Sequence, residues 1–236
     1  MPDNGFMKTS ELMEKLKRLP VFTLNDLAKL TGHKPATVRI LASRLSKRNL
    51  IKRIEKGKYT ILDEPLVITA YMTRPSYIGL YSALRFHNMT TQAVSNIDVM
   101  IPKSRKEANV LGKRVMFTKT RQFWGFEKYK FGGYDVPVSD PEKTIVDCIL
   151  SEKVRPDSVL EALKSIDVDE AKLLSYVRKC DNSALGKRVG FLLEKIGADT
   201  HDYRNYSTGR YVKLDPKGLV KGRKNKNWKI IENLVV

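Results

Sequence analysis

The stretch that decides the fold is residues 23–58, which read TLNDLAKLTGHKPATVRILASRLSKRNLIKRIEKGK. Thr23 stands three residues before Asp26, the spacing of a capping box at a helix start, and Thr31-Gly32 ends the apolar stripe that follows. Lys34-Pro35 then predicts the start of another helix. Proline is favoured at the first helical position, because the backbone N–H that it lacks would make no hydrogen bond within the helix there. The stretch predicts two helices joined by a glycine turn.

The residues on either side complete a small domain. Upstream, one helical face is formed by Met7, Leu12, Leu16 and Leu19, and Pro20 ends that helix. The helix after the turn ends near Asn49, and its predicted buried stripe is Val38, Leu41, Leu45 and Ala42. Residues 50–55 and 58–62 bracket Lys56-Gly57 as a hairpin. Residues 1–63 are therefore predicted to form a winged helix-turn-helix domain.

Such a domain places its third helix in a major groove and uses its wing on the DNA backbone. We expect Arg39 to read a base, since arginine on guanine is the commonest specific contact. The residues predicted to contact DNA lie on the third helix and the hairpin: Lys34, Ala36, Thr37, Arg39, Ile40, Ser43, Arg44, Lys47, Lys56 and Lys58. The alternative is a protein-binding module whose basic residues only face solvent.

Charge is concentrated at the two ends of this 236-residue chain, whose formal net charge is +18. Residues 1–62 contain 14 basic and 5 acidic residues, residues 63–200 contain 21 and 18, and residues 201–236 contain 9 and 3. This distribution favours a polyanionic partner. A secondary contact with nucleic acid or another partner is predicted for Arg204, Arg210, Lys221, Arg223, Lys224 and Lys226. The interleaved Tyr203, Tyr206, Tyr211 and Trp228 could stack on bases, but packing within the domain is preferred.

Several classes of protein lack support in the sequence. Cys148 and Cys180 lie in no Cys-x-x-Cys motif, and His33, His87 and His201 have no metal-ligand spacing. We expect no disulfide scaffold, no metal and no cofactor. No apolar run reaches the length of a membrane span, and the first 20 residues are interleaved with charges. A cytoplasmic protein without membrane contact is expected.

A domain boundary is predicted at Asp63-Glu64-Pro65, and residues 64–236 are expected to form a larger mixed α+β domain. Residues 77–84 are predicted as a helix, and residues 216–227 as an exposed loop. Asp140-Pro141-Glu142 predicts a strong helix start, with Asp140 as the N-cap. Strands are predicted at 97–101, 115–117, 125–131 and 134–138, and later helices at 156–165, 169–179 and 183–197. The fold class of the whole chain is therefore α+β.

One cluster invites a catalytic interpretation: Asp140, Glu142, Lys143 and Asp147. A metal-dependent nuclease needs carboxylates for Mg²⁺ and a nearby lysine, with the acidic residue and the lysine separated by one residue on one strand so that both point to the same face. Glu142 and Lys143 are adjacent and at a helix start, so capping explains the acidic residues better. Cys148 lies in an apolar helical stretch, where a buried structural thiol is expected. We expect no enzyme.

Four blocks in order resemble the AbiEi family of abortive-infection antitoxins: residues 81–90 (YSALRFHNMT), 138–147 (VSDPEKTIVD), 190–195 (GFLLEK) and 228–233 (WKIIEN). The resemblance covers essentially the whole chain, although Asn88 stands where many relatives have glycine. It implies a winged helix joined to a larger C-terminal domain. It also implies repression of the protein's own operon through inverted repeats in double-stranded DNA, and neutralisation of a nucleotidyltransferase-like toxin in phage defence.

Two questions stay open at the level of sequence. The chain could instead be a stand-alone nucleic-acid-binding regulator, or an RNA- or protein-binding module without a toxin partner. No dimer seam distinguishes a monomer from the two-fold pair that inverted repeats would require.

Overall fold

A computed structural model describes residues 7–219 and 221–234, and the chain is α+β. The first 62 residues, called here the N-terminal unit, contain the predicted three helices and hairpin in the predicted order. Their bounds are α1 Thr9–Leu16, β1 Phe22–Thr23, α2 Leu24–Thr31, α3 Pro35–Lys47, β2 Lys52–Glu55 and β3 Lys58–Thr60. Strand β1 was not predicted. It pairs antiparallel with β3, so the hairpin becomes a three-stranded sheet in the order β1-β3-β2.

One core holds these elements together. Its fully buried apolar side chains are Leu12, Leu16, Phe22, Leu27, Val38, Ala42, Leu45 and Ile51. The buried stripe of α3 therefore follows positions 38, 42 and 45, and Leu41 is only half-buried at its margin. Leu41 was predicted as a full member of the buried stripe and Ala42 only as a possible one. The structure reverses them, because the buried side chains follow the spacing i, i+4, i+7.

The remaining residues, called here the C-terminal unit, surround a six-stranded mixed sheet. The bounds are α4 Pro65–Met72, β4 Tyr77–Ile78, α5 Leu80–Phe86, β5 Ile97–Ile101, β6 Ala108–Val110, β7 Lys113–Lys119, β8 Phe126–Phe131, β9 Tyr134–Ser139, α6 Pro141–Ser151, α7 Pro156–Ser165, α8 Glu170–Cys180, α9 Ser183–Lys195, a 3₁₀ segment His201–Tyr206, β10 Val212–Lys213, β11 Arg223–Asn225 and β12 Ile230–Glu232. The sheet order is β6-β7-β5-β4-β9-β8, and the pairs β5·β7 and β4·β9 are parallel.

Two predictions for this unit were wrong. The helix expected over 77–84 begins only at Leu80, because Tyr77 and Ile78 form β4 in the middle of the sheet. Gly79 allows the chain to pass close to β5 at this point, since a Cβ there would lie 2.5 Å from the Met100 side chain. The loop expected over 216–227 contains strand β11, which pairs with β12. Strand β4 depends on partners distant in sequence, whereas β11 pairs with the nearby β12 in a hairpin.

Helix α6 begins as predicted. The Asp140 carboxylate accepts a hydrogen bond from the Lys143 backbone N–H at 2.8 Å, and Pro141 occupies the first turn. The eight residues 142–149 are all buried, since α6 packs against helices α5, α7, α8 and α9. Helices α7, α8 and α9 start and end within two residues of the predicted positions.

The two units touch through the wing, which is the β2–β3 hairpin, and through α1. Lys58 Nζ donates to the Met72 carbonyl at 2.7 Å, and the Tyr134 hydroxyl donates to the Lys17 carbonyl at 2.6 Å. The predicted boundary at 63–65 falls in the link between β3 and α4, where Pro65 begins the new helix. Among the described residues, no helix combines the length and apolar character that crossing a membrane requires.

Candidate nucleic-acid interface

The turn between α2 and α3 is fixed at both ends by local hydrogen bonds. The capping box is complete, because Asp26 N–H donates to Thr23 Oγ1 at 3.2 Å and Thr23 N–H donates to Asp26 Oδ2 at 2.8 Å. Gly32 ends α2 with φ +69°, a left-handed conformation that favours glycine, and its N–H donates to the Ala28 carbonyl at 2.8 Å. These contacts set the angle at which α3 leaves the domain.

Helix α3 turns a broad face toward solvent. All eight residues predicted on this helix for DNA contact are exposed: Lys34, Ala36, Thr37, Arg39, Ile40, Ser43, Arg44 and Lys47. Ile40 is 55% exposed, among the largest exposures of any big apolar side chain in residues 7–219 and 221–234. An apolar side chain among cations on a free face is suited to contact with a thymine methyl group.

The exposed cations of α3 have no acidic partners. Within the described residues, Lys34, Arg39, Arg44 and Lys47 make no ion pair with any carboxylate. The helix itself contains no Asp or Glu. Its face therefore presents uncompensated positive charge, which attracts polyanions. Arg48, at the C-cap, is also exposed and makes no ion pair within the described residues. It continues the basic run of α3 but was not among the residues predicted to contact DNA.

The two wing lysines predicted to contact DNA, Lys56 and Lys58, differ in their surroundings. Lys56 is exposed beside Gly57, whose φ of +78° suits the tight turn. Lys58 instead faces the C-terminal unit, with its ammonium 2.7 Å from Glu55 Oε1 and donating to the Met72 carbonyl. Its partners occupy the ammonium, so the predicted phosphate contact of Lys58 is replaced by a contact between the two units.

Glu55 is the centre of this contact. It pairs with both Lys58 and Arg105, and Arg105 also donates to Thr73 Oγ1. Burial alone would raise the pKa of Glu55, but the hydrogen bond from Lys58 and the charge of Arg105 outweigh it and lower that pKa. The carboxylate therefore stays ionised and ties the wing to the loop after β5.

The acidic and basic cluster of α6 is occupied by internal contacts. Lys143 and Asp147 form a buried ion pair, the Tyr77 hydroxyl donates to Asp147 Oδ2 at 2.8 Å, and Lys143 Nζ donates to the Tyr77 oxygen at 2.9 Å. Nearby, Asp140 accepts from the Tyr176 hydroxyl at 2.8 Å, while Glu142 pairs with Lys172 at 2.9 Å. These bonds join β4, α6 and α8, a structural role for each member of the cluster.

Other candidate reactive groups are buried or scattered. In residues 7–219 and 221–234, no three His, Cys, Asp or Glu side chains come together as a metal site would require. Cys148 is fully buried, and burial raises its pKa. The thiol is therefore held in the protonated, unreactive form at neutral pH.

At the C-terminal end, the six basic residues predicted for secondary contact are all exposed: Arg204, Arg210, Lys221, Arg223, Lys224 and Lys226. Arg204 pairs with Glu194 at 3.0 Å and lies over the Trp228 ring, so its charge is partly used. Packing is confirmed for Tyr203 and Trp228, which are buried in the main core, and Tyr206 packs against it. Tyr211 differs, because it stays half-buried between Lys224 and Lys229.

Comparison with known proteins gives no assignment for this chain. No protein-family model matches it, and no curated protein matches it either.

Proposed function

We propose that the N-terminal unit is a winged helix-turn-helix domain, and that the protein is a sequence-specific DNA-binding transcriptional repressor. The observation that carries the proposal is the face of α3, where exposed Ile40 lies among four cations that make no ion pair within the described residues. Helix α3 follows a capped helix and a left-handed glycine turn, the geometry expected of a recognition helix. In this proposal Arg39 reads a base edge in the major groove.

The wing supports α3 through the DNA backbone. Lys56, at its tip, contacts a phosphate, and such a contact adds affinity without sequence preference. Lys58 has no place in this interface, because it holds the wing against the C-terminal unit. The wing is therefore fixed in position before DNA arrives, and its docking adds little ordering cost.

The antitoxin part of the proposal rests on the resemblance to AbiEi proteins. We propose that the protein represses its own operon through inverted repeats and counters a nucleotidyltransferase-like toxin through its C-terminal unit. A neighbouring gene for such a toxin provides the test: its expression should stop growth, and co-expression of this protein should restore growth. If this protein does not relieve the growth arrest, the antitoxin role is excluded and the alternative of a stand-alone regulator remains.

The DNA-binding part is tested by a salt-titrated anisotropy assay on the DNA upstream of this gene and on scrambled DNA of equal length. Charge alone predicts some salt-dependent binding to both DNAs. A specific repressor should prefer the native DNA by roughly a thousandfold or more. Equal, steeply salt-dependent binding to both DNAs would show that the basic ends bind polyanions without sequence specificity.

A further inference from the structure

A second basic surface lies on the small C-terminal sheet, far along the chain from α3. Strand β12 pairs in parallel with β10 and antiparallel with β11. Ile231 of β12 is opposite both Lys213 and Lys224, and residues opposite one another point to the same side of a sheet. Ile230, its neighbour in the strand, is fully buried. Lys213 and Lys224 therefore lie on the outer face, away from the core.

Tyr211 is the centre of this outer face. Lys224 Nζ lies 5.5 Å from the centroid of its ring and Lys229 Nζ lies 5.4 Å from it. Tyr211 is half-buried, so part of its side chain is accessible to solvent, and Lys224 is exposed. An aromatic ring between two flexible cations is the pairing that single-stranded nucleic acid uses, with bases on the ring and phosphates on the ammonium groups.

The cations of this surface are uncompensated. In the part of the chain that the structure describes, Arg210, Lys224, Lys226 and Lys229 make no ion pair with any carboxylate. Glu232 does not serve them, because its register opposite Arg223 places it on the other face of the sheet. The outer face therefore attracts anions.

A buried lysine beneath the surface adds to the positive charge. Lys187 is 3% exposed, and its ammonium donates to the Arg210 carbonyl at 2.6 Å, which fixes the backbone that leads into Tyr211. Burial lowers the pKa of Lys187, and the nearby Lys229 charge lowers it further. A bound anion would relieve this crowding of like charges.

We propose that the outer face of the C-terminal sheet binds single-stranded nucleic acid, with a base stacking on Tyr211 and phosphates held by Lys224 and Lys229. A surface with cations alone would bind duplex and single-stranded nucleic acid equally well. The aromatic ring decides between the two, because stacking on a side chain requires a base whose face is not covered by its neighbours. This surface is additional to the duplex-binding face of α3, and neither requires the other.

The test is fluorescence anisotropy of the full chain with a labelled oligothymidylate of about 20 nucleotides, which forms no duplex. Tyr211→Ala should weaken binding roughly tenfold, whereas Tyr211→Phe, which keeps the ring, should bind like the parent. The double variant Lys224→Gln/Lys229→Gln should reduce the slope of log affinity against log salt by about 1.4, since each phosphate contact contributes about 0.7 on a single strand. Both lysines lie at the surface, so this variant tests the proposal even if Tyr211→Ala is poorly folded.

A control separates this surface from the rest of the protein. Lys113→Gln removes an exposed lysine at the start of β7, outside both basic surfaces, and should leave oligothymidylate affinity nearly unchanged. Binding by α3 is measured on duplex DNA, so failure of the α3 proposal would not imply failure here. The proposal is overturned if the chain does not bind the oligonucleotide, or if Tyr211→Ala binds as well as Tyr211→Phe. It is also overturned if the lysine variant loses the same affinity for a random duplex, which would indicate a general duplex grip.

Discussion

Helices α3 and α6 begin in the same way and use their charges in opposite ways. Each starts at a proline in its first turn, after Lys34 and Asp140 respectively. The cations of α3 are exposed and have no acidic partner within the described residues, whereas Lys143 of α6 is fully buried and paired with Asp147. Charge satisfied inside the protein holds elements together, and charge left unsatisfied at the surface is free for a ligand. The same contrast distinguishes Lys58 from Lys56 on the wing.

The largest effect should come from breaking the α6 pair. Lys143→Met leaves the Asp147 carboxylate buried without its counter-charge, so the free energy of unfolding should fall by about 3 kcal/mol or more. Urea denaturation followed by circular dichroism measures this loss. DNA affinity at low temperature should be unchanged for the fraction that is folded.

A second variant sharpens the interpretation of that pair. Lys143→Met/Asp147→Leu removes both charges and should recover most of the lost stability, because a buried apolar pair can replace a buried ion pair. Lys130→Met, which removes a lysine from an exposed pair with Asp135, should change little. A double variant no more stable than Lys143→Met would show that shape, rather than charge pairing, fixes α6.

On α3 the opposite result is expected. Arg39→Ala should leave the unfolding free energy nearly unchanged, since its side chain is exposed and unpaired among the described residues. It should cost on the order of 1 to 3 kcal/mol in binding to the upstream DNA and relax base preference at one position. Anisotropy titrations against a set of single-base DNA variants measure both. Equal losses on native and scrambled DNA would remove Arg39 from base reading.

The contact between wing and C-terminal unit predicts a pH dependence. The pKa of Glu55 is lowered in the folded protein from its ordinary value of 4.5, so its stabilising effect is full above that value and is lost as pH falls through the folded pKa. Glu55→Gln should therefore lower the unfolding free energy by about 1 kcal/mol at neutral pH. The difference from the parent should vanish in acid. A difference that persists unchanged at low pH would exclude the ionised carboxylate as its source.

The smallest effect is expected at the wing tip. Lys56→Ala should weaken binding to native and scrambled DNA alike by a few-fold and reduce the salt slope by about 1, because one phosphate contact is lost. Lys113→Ala, which removes an exposed lysine at the start of β7, is the matched control and should change neither. A loss confined to the native DNA would instead give Lys56 a role in sequence recognition.

Features set by near neighbours could be predicted from the sequence. The Thr23–Asp26 capping box and the Asp140 cap depend on residues three apart, and the exposed face of α3 follows from helical periodicity. Strand β4 was missed because it is defined by pairing with the distant strands β5 and β9, and β11 was missed because its Gly- and Lys-rich segment resembles a loop and becomes a strand only by pairing with β12. Whether a strand of two or three residues forms depends on that pairing.

The candidate site divides in the same way. Lys56 and Lys58 are indistinguishable in sequence. What separates them is the Met72 carbonyl, 14 positions from Lys58, and the Glu55–Arg105 pair, whose members are 50 positions apart. The surface around Tyr211 was predicted only in part, because Lys224 and base stacking by Tyr211 were considered and Lys229 was not. Lys224 and Lys229 come together at that ring only because β11 and β12 fold back beside β10.

A thermodynamic cycle tests whether Arg39 reads a guanine edge in the major groove. In the upstream DNA each guanine is replaced in turn by 7-deazaguanine, which lacks the N7 acceptor, and binding is measured for the parent and for Arg39→Ala. At one guanine of a half-site, the replacement should weaken the parent roughly tenfold and leave Arg39→Ala unaffected. Equal losses for both proteins at every guanine, or no loss for either, would contradict the claim.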